Sequence, residues 1–139
     1  MRVITPHEVK YEGDANMVSV HCHDGDIGIL PGHDRYSVLL EYGALRYYQN
    51  REIYRMAVFG GIADITGDTV TVLTTEAIWP WEISHAHAQA ERERLERRML
   101  ESDDDMEIQR DQVLLRRALV HIEVSSGGLI SKPDWMERE

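Results

Sequence analysis

Hydrophobic and polar positions alternate along the first half of the chain and recur at helical spacing along the second. From Asn16 to Cys22 the alternation puts Val18, Val20 and Cys22 on one face and Met17 and Ser19 on the other. Thr69-Val70-Thr71-Val72-Leu73-Thr74 alternates in the same way, with Gly67-Asp68 as the turn before it. Glu52 to Phe59 is rich in β-formers, and Gln49-Asn50 predicts a turn between it and Ala44–Tyr48. Short strands bounded by turn residues at this spacing predict an all-β sandwich or barrel. Gly60-Gly61 lies between two apolar runs and predicts a bulge or sharp turn, because paired glycines permit positive φ.

The period changes near residue 80. Glu82 to Leu100 contains no Gly or Pro, and Ile83, Ala86 and Ala90 fall at helical spacing. Glu93 with Arg97, and Arg92 with Glu96, are i,i+4 pairs of about 0.2–0.5 kcal/mol each. Glu101-Ser102-Asp103-Asp104-Asp105 breaks the helix, and Ser102 followed by Asp105 resembles a capping box. A second helix then runs from Met106 to Val124, with Ile108, Leu115, Ala118, Leu119 and Ile122 on one side, and Ser125-Ser126-Gly127-Gly128 stops it. The short connection implies an antiparallel hairpin. Its facing side chains are mostly Ala and Leu, so alone it would be marginal and it needs a surface to lie against. The expected fold is α+β: an N-terminal antiparallel β-sandwich over residues 1–80, a two-helix antiparallel hairpin over 81–124, and a flexible tail over 125–139. Leu129, Ile130 and Trp135 are the apolar residues that could anchor this tail.

Composition sharpens that division. The 139 residues carry 15 Lys+Arg against 25 Asp+Glu, a formal net charge of −10. Residues 1–80 hold 6 basic and 11 acidic side chains, whereas the shorter segment 81–139 holds 9 and 14, so charge is densest in the helical part. An acidic surface repels phosphate backbones, which argues against nucleic-acid binding. The single Cys22 excludes an intrachain disulfide. No apolar run is long enough to span a bilayer and no apolar signal segment opens the chain, which predicts a soluble protein without direct membrane insertion.

Gly25-Asp26-Ile27-Gly28-Ile29-Leu30-Pro31-Gly32-His33 resembles the signature loop of the epsilon subunit of bacterial F-type ATP synthase. Ile4-Thr5-Pro6, Gly43-Ala44-Leu45-Arg46, Val58-Phe59-Gly60-Gly61-Ile62-Ala63-Asp64-Ile65, Val70-Thr71-Val72-Leu73 and Arg116-Arg117-Ala118-Leu119 resemble further segments of that family in the same order. The resemblance spans residues 3–124. It implies a non-catalytic central-stalk rotor subunit without a cofactor, peripheral on the cytoplasmic face of the bacterial inner membrane. In the family the sandwich binds the gamma subunit and sits on the c-ring. The hairpin either folds against the sandwich or extends toward the alpha and beta subunits and blocks ATP hydrolysis.

The resemblance also implies site residues. Asp26 and His33 match positions facing the c-ring and gamma, although Asp26 also reads simply as a turn residue. Arg92, Arg94, Arg98, Arg116 and Arg117 are candidates for inhibitory contacts with an acidic partner segment in the extended state. The plainer reading of the Glu91–Arg98 run is a solvated helix face. Some family members bind ATP through Ile/Leu-Asp-x-x-Arg-Ala at the start of the first hairpin helix together with a late arginine. Here Ile83, Ala88 and Arg117 match, while Ser84 and His87 replace the aspartate and the arginine, and His121 replaces another basic residue. A charged hydrogen bond contributes roughly 1.5–3 kcal/mol, so two losses predict no micromolar ATP binding. Trp79-Pro80-Trp81 is unusual for the family: the two rings either clamp the hairpin to the sandwich or dock on gamma.

A rival reading is a free-standing metal- or small-ligand-binding β-sandwich. His21-Cys22-His23 with Asp26 has the His-x-His spacing that puts two imidazoles on one strand face, but every His after His33 falls in the helical half. No metal site is expected. Asp103–Asp105 lacks the glycine and spacing of a calcium loop. Cys22 shares a face with Val18 and Val20 and reads as a small buried hydrophobe.

Overall fold

The alternating half of the chain forms strands whose apolar faces meet, and the helical half lies on the outside of one of them. The computed structural model describes residues 1–126 together with Lys132, Pro133 and Met136. The Gly127-Gly128 stop and the anchors Leu129, Ile130 and Trp135 lie outside the described residues.

Among the described residues the strands are β1 (Arg2–Ile4), β2 (Val9–Glu12), β3 (Met17–Cys22), β4 (Gly25–Ile29), β5 (Tyr36–Gln49), β6 (Glu52–Thr66), β7 (Thr69–Leu73) and β8 (Ala77–Ile78). Their order is β2-β1-β7-β6-β5-β3-β4, with β8 paired to β6 at Ala57 and Val58, before the stretch that pairs with β7. Pairing is antiparallel except between β1 and β7, which run parallel. Val3, Val18, Val20, Leu45, Tyr47, Met56, Ile65 and Val72 fill the space between the layers.

The two long strands make the sandwich by bending. β5 and β6 keep one register from Tyr36↔Ile65 to Gln49↔Glu52, so Gly60-Gly61 inserts no extra residue. Both glycines instead have positive φ, +78° and +109°. A Cβ on Gly61 would overlap the Leu73 carbonyl, which is why this position needs glycine. The pair is therefore a sharp bend inside a continuous strand, not a bulge. The hairpin turn between the strands is Asn50-Arg51, one residue later than expected, because Gln49 is already paired with Glu52. Both turn residues have positive φ, +51° and +67°, the twist that a two-residue β-hairpin requires.

Trp79 belongs to the sandwich core. It is 7% exposed, stacks on Trp81 at 4.8 Å, and meets Tyr11 and Tyr47 edge-on. Tyr47 also stacks on Tyr54, and burial lifts its phenol pKa far above the usual range. A 3₁₀ turn at Pro80–Glu82 follows. Glu82 accepts the Trp79 N–H at 2.9 Å and pairs with Lys10 at 2.6 Å. The aromatic pair thus fixes the root of the hairpin rather than its helices.

These contacts delay the first helix. α1 spans His85–Glu101, not Glu82–Leu100, because Glu82 is held by Trp79 and Lys10 and Ile83 is extended. Ser84 caps it by accepting the His87 N–H at 3.2 Å. Ala86 and Ala90 are exposed, and the buried positions are Ala88 and Leu95. α2 spans Asp105–Ser125 and is capped by Asp104, whose Oδ1 accepts the Met106 N–H. Ser102, the expected cap, ends α1 instead: its N–H bonds the Arg98 carbonyl and its Oγ accepts the Asp104 N–H. Ala118 is buried as expected, Leu119 is exposed, and Val120 and Val124 join the core. One apolar stripe was expected, but α2 serves two surfaces, α1 on one side and the sheet on the other. Among the described residues Glu93 and Arg97 do not come within ion-pairing distance, whereas Arg92–Glu96 closes to 3.6 Å.

Candidate functional site

The outward faces of β5 and β6 carry alternate side chains that the sandwich core cannot use. Ala44, Ala57 and Phe59 point away from that core and are covered by Val120 and Val124 of α2, with Tyr42, Ile78 and Ile83 around them. Two ion pairs cross this small apolar contact in opposite senses. Arg46 of β5 reaches Glu123 of α2 at 2.9 Å, and Arg117 of α2 reaches Glu76 beside β8 at 2.6 Å. The Arg117 guanidinium also lies over the Phe59 ring, 4.3 Å from its centroid. His121, one turn further on, meets the same ring edge-on at 5.4 Å. Burial pushes the His121 pKa below its ordinary value, with Arg117 acting in the same direction and Glu76 opposing.

Within the hairpin, Ala88, Leu95 and Ala118 give the helices a narrow apolar seam. Asp111 is buried beside it at 2% exposure, with Arg98 at 3.4 Å. Arg98 also meets Glu107 at 3.3 Å. The sequence reading missed Asp111. Its carboxylate falls within the α2 pattern, and only the fold brings Arg98 to it.

The expected site residues separate. Asp26, in β4, accepts a hydrogen bond from His21 Nδ1 at 2.7 Å and pairs with Arg46 at 3.4 Å. It therefore joins the chain of charges that ends at Glu123 of the hairpin. His33 lies in the loop after β4, its Nδ1 donating to the Asp34 carbonyl at 2.8 Å. Arg92 pairs with Glu96, Arg94 with Glu91 at 2.6 Å, and Arg98 with Asp111, while Arg116 is exposed. Arg94 holds the Glu91 carboxyl below the usual range. Of the five arginines, Arg117 alone bridges hairpin and sandwich among the described residues.

The nucleotide-like positions meet around a cleft lined by His87, Ala88, Glu91, Arg117 and His121. Its volume, about 190 Å³, falls below the roughly 300–1,000 Å³ of small-molecule sites. Ile83 precedes the helix, Ser84 is occupied in capping it, and Arg117 is paired with Glu76.

His21 and His23 do not share a strand face, since β3 ends at Cys22. Among the described residues no three His, Cys, Asp or Glu side chains gather to hold a metal. Cys22 is buried, and burial raises its thiol pKa.

A second surface was not anticipated. Leu39 pairs with Ile62, Ile62 with Leu73, Leu73 with Ile4, and Ile4 with Val9. These five apolar residues form one row across β5, β6, β7, β1 and β2, on the face opposite the core. Leu39 is 74% exposed, and Val9, Ile62 and Leu73 are 43–49% exposed. At one end of the sandwich, Leu30 and Tyr36 add further exposed apolar surface. A contiguous exposed apolar row of this kind is a candidate docking surface. Each strand contributes a single member, so only the register reveals it.

The described residues thus define a β-sandwich module with an exposed apolar face and a laterally docked helical hairpin. A family model, the ATP synthase delta/epsilon chain beta-sandwich domain, matches residues 1–80. The chain is 34% identical to the ATP synthase epsilon chain of Bacillus velezensis, over 90% of this chain and 95% of that one. It is 35% identical to the epsilon chain of Bacillus subtilis, over 78% and 82% respectively. Its fold is similar to that of a chain in the Euglena gracilis mitochondrial ATP synthase OSCP/F1/c-ring structure, with a TM-score of 0.80 and 19% identity, covering 91% of this chain and 79% of that one. The chain belongs to the ATP synthase delta/epsilon chain family.

Proposed function

We propose that the chain is a non-catalytic central-stalk subunit of a proton-translocating F-type ATP synthase. Its sandwich links gamma to the c-ring, and its helices restrain ATP hydrolysis when they leave the sandwich for the alpha and beta subunits. It sits peripherally on the cytoplasmic face of the bacterial inner membrane. Among the described residues no helix is long and apolar enough to cross a membrane.

The observation that carries this reading is the contrast between the two surfaces. The apolar row from Leu39 to Val9 is built on rigid strands and is open to a partner. We assign it to gamma, and the Leu30–Tyr36 end with His33 to the c-ring. Asp26, tied to Arg46 yet about half exposed, is assigned to the same interface as His33. The hairpin is held by few apolar side chains, each contributing about 1.5–3 kcal/mol at full burial, less the cost of ordering. A balance of a few kcal/mol suits an element with two docked states. In the extended state Arg117 parts from Glu76 and joins the surface residues Arg92, Arg94, Arg98 and Arg116 in facing an acidic partner. The rival metal- or ligand-binding reading is not favoured, because His21 is engaged by Asp26 and His23 lies off the strand.

We place the functional boundary at Ser84, where the extended Ile83 gives way to α1. The test is to reconstitute the catalytic sector with the full chain and with a chain ending at Ile83. Both should be captured by gamma, and only the full chain should restrain hydrolysis. Failure of the shorter, folded chain to bind gamma would overturn the division of labour. Unchanged hydrolysis with the full chain would overturn the inhibitory role.

A further inference from the structure

Arg117 and His121, one turn apart on α2, address the same aromatic ring. The guanidinium lies over the face of Phe59 and the imidazole approaches its edge. Arg117 has a counter-charge in Glu76, whereas His121 Nε2 is buried and among the described residues has no hydrogen-bond partner. The charged and titratable groups facing His121 are Arg117 on its own helix, Glu76 beside β8, and His87 from α1. Glu91 lines the same cleft and is held by Arg94. Ser125 Oγ donates to the His121 backbone carbonyl and not to its ring. A neutral imidazole fits this position. A protonated one puts a second cation beside Arg117 and a charged N–H in a buried place without an acceptor.

We infer that Phe59, Arg117 and His121 form a proton-sensitive latch that holds α2 on the sandwich and opens when His121 takes up a proton from solvent. The direction follows from linkage. Burial depresses the ring's pKa while the hairpin is docked, and release into water relieves that cause and moves it back toward the ordinary value of about 6.5, while Arg117, on the same helix, acts in both states. Above that pH both states are neutral and docking is at full strength. As pH falls through about 6.5 the released state binds the proton first, and docking weakens until the docked pKa is passed. The window lies above the ordinary carboxylate range of roughly 4, so a response there reports a histidine. Stronger restraint of hydrolysis in acid would rest on the function proposed above. The latch itself does not, and it is tested without any partner.

Spin labels on Asp68→Cys and Leu100→Cys, both exposed, in a Cys22→Ala background report the hairpin's position in the full chain. Between about pH 7.5 and pH 5.5 the displaced population should rise, by up to about tenfold for each unit of pKa depression. His121→Phe, which keeps a ring edge on Phe59, should abolish the response, and His87→Gln should preserve it. An unchanged distance distribution in the parent protein would overturn the latch, as would a full response in His121→Phe. Should His121→Phe fold poorly, the ring titration of His121 followed by NMR decides. A midpoint below that of exposed His7 supports the latch, and one at or above it overturns it.

Discussion

The sandwich and the hairpin bury their side chains by different means. In the sandwich, Val3, Leu45, Tyr47, Met56 and Val72 meet from opposing layers, and strands distant in sequence hold one another in place. In the hairpin, two helices share Ala88, Leu95 and Ala118, and α2 then rests on Ala44, Ala57 and Phe59. Removing α2 from the sheet leaves the sandwich core complete. Removing any central strand would not. The difference teaches that the two regions of one short chain can pack independently, with Trp79 and Trp81 at the root of the hairpin marking where they meet.

The largest effect should come from the root. Trp79→Ala removes a ring packed against Tyr11, Tyr47 and Trp81, and should cost about 3–5 kcal/mol of sandwich stability in denaturant unfolding. A small loss confined to the helices would place Trp79 with the hairpin instead. Gly61→Ala comes next. It forces a side chain onto a backbone at φ +109° and against the Leu73 carbonyl, for about 1–3 kcal/mol. Thermal unfolding reads this directly, and a neutral result would mean that β6 bends elsewhere.

Two milder substitutions address the hairpin alone. Val124→Ala removes two buried carbons from the α2–sheet contact and should weaken docking by about 1.5 kcal/mol. Amide exchange should accelerate in α2 while the protection of β5 and β6 stays unchanged. Arg46→Gln breaks the link from Asp26 to Glu123 on a partly exposed side chain, so about 0.2–1 kcal/mol is expected. Added salt should shrink the difference between parent and variant. A salt-independent loss would mean that Arg46 acts through packing.

The architecture was legible because its two halves have different periods. Val18, Val20 and Cys22 on one face of β3, and Val70 and Val72 in β7, followed directly from alternation. Less legible was the first part of β5, where Tyr36 and Leu39, on opposite faces of the strand, are both exposed while Leu40 is buried. Apolar residues on both faces erase the period-2 signal. Helix starts were misjudged by up to three residues because Glu82 is held by Trp79 and Lys10, partners that sequence spacing does not reveal. The docking site was hidden for the same reason. Arg117 was picked out by its resemblance to the family, but its contacts with Glu76 and Phe59, and the burial of Asp111 beside Arg98, depend on chain segments meeting in space.

Native-state hydrogen exchange on the isolated full chain tests the separation of the two regions most directly. The amides of α1 and α2 should exchange through an opening several kcal/mol less costly than the one that exposes β5 and β6. That opening should leave Trp79 and the sandwich protected. Equal opening free energies for helices and strands, lost together in one cooperative event, would contradict a hairpin that leaves while the sandwich stays.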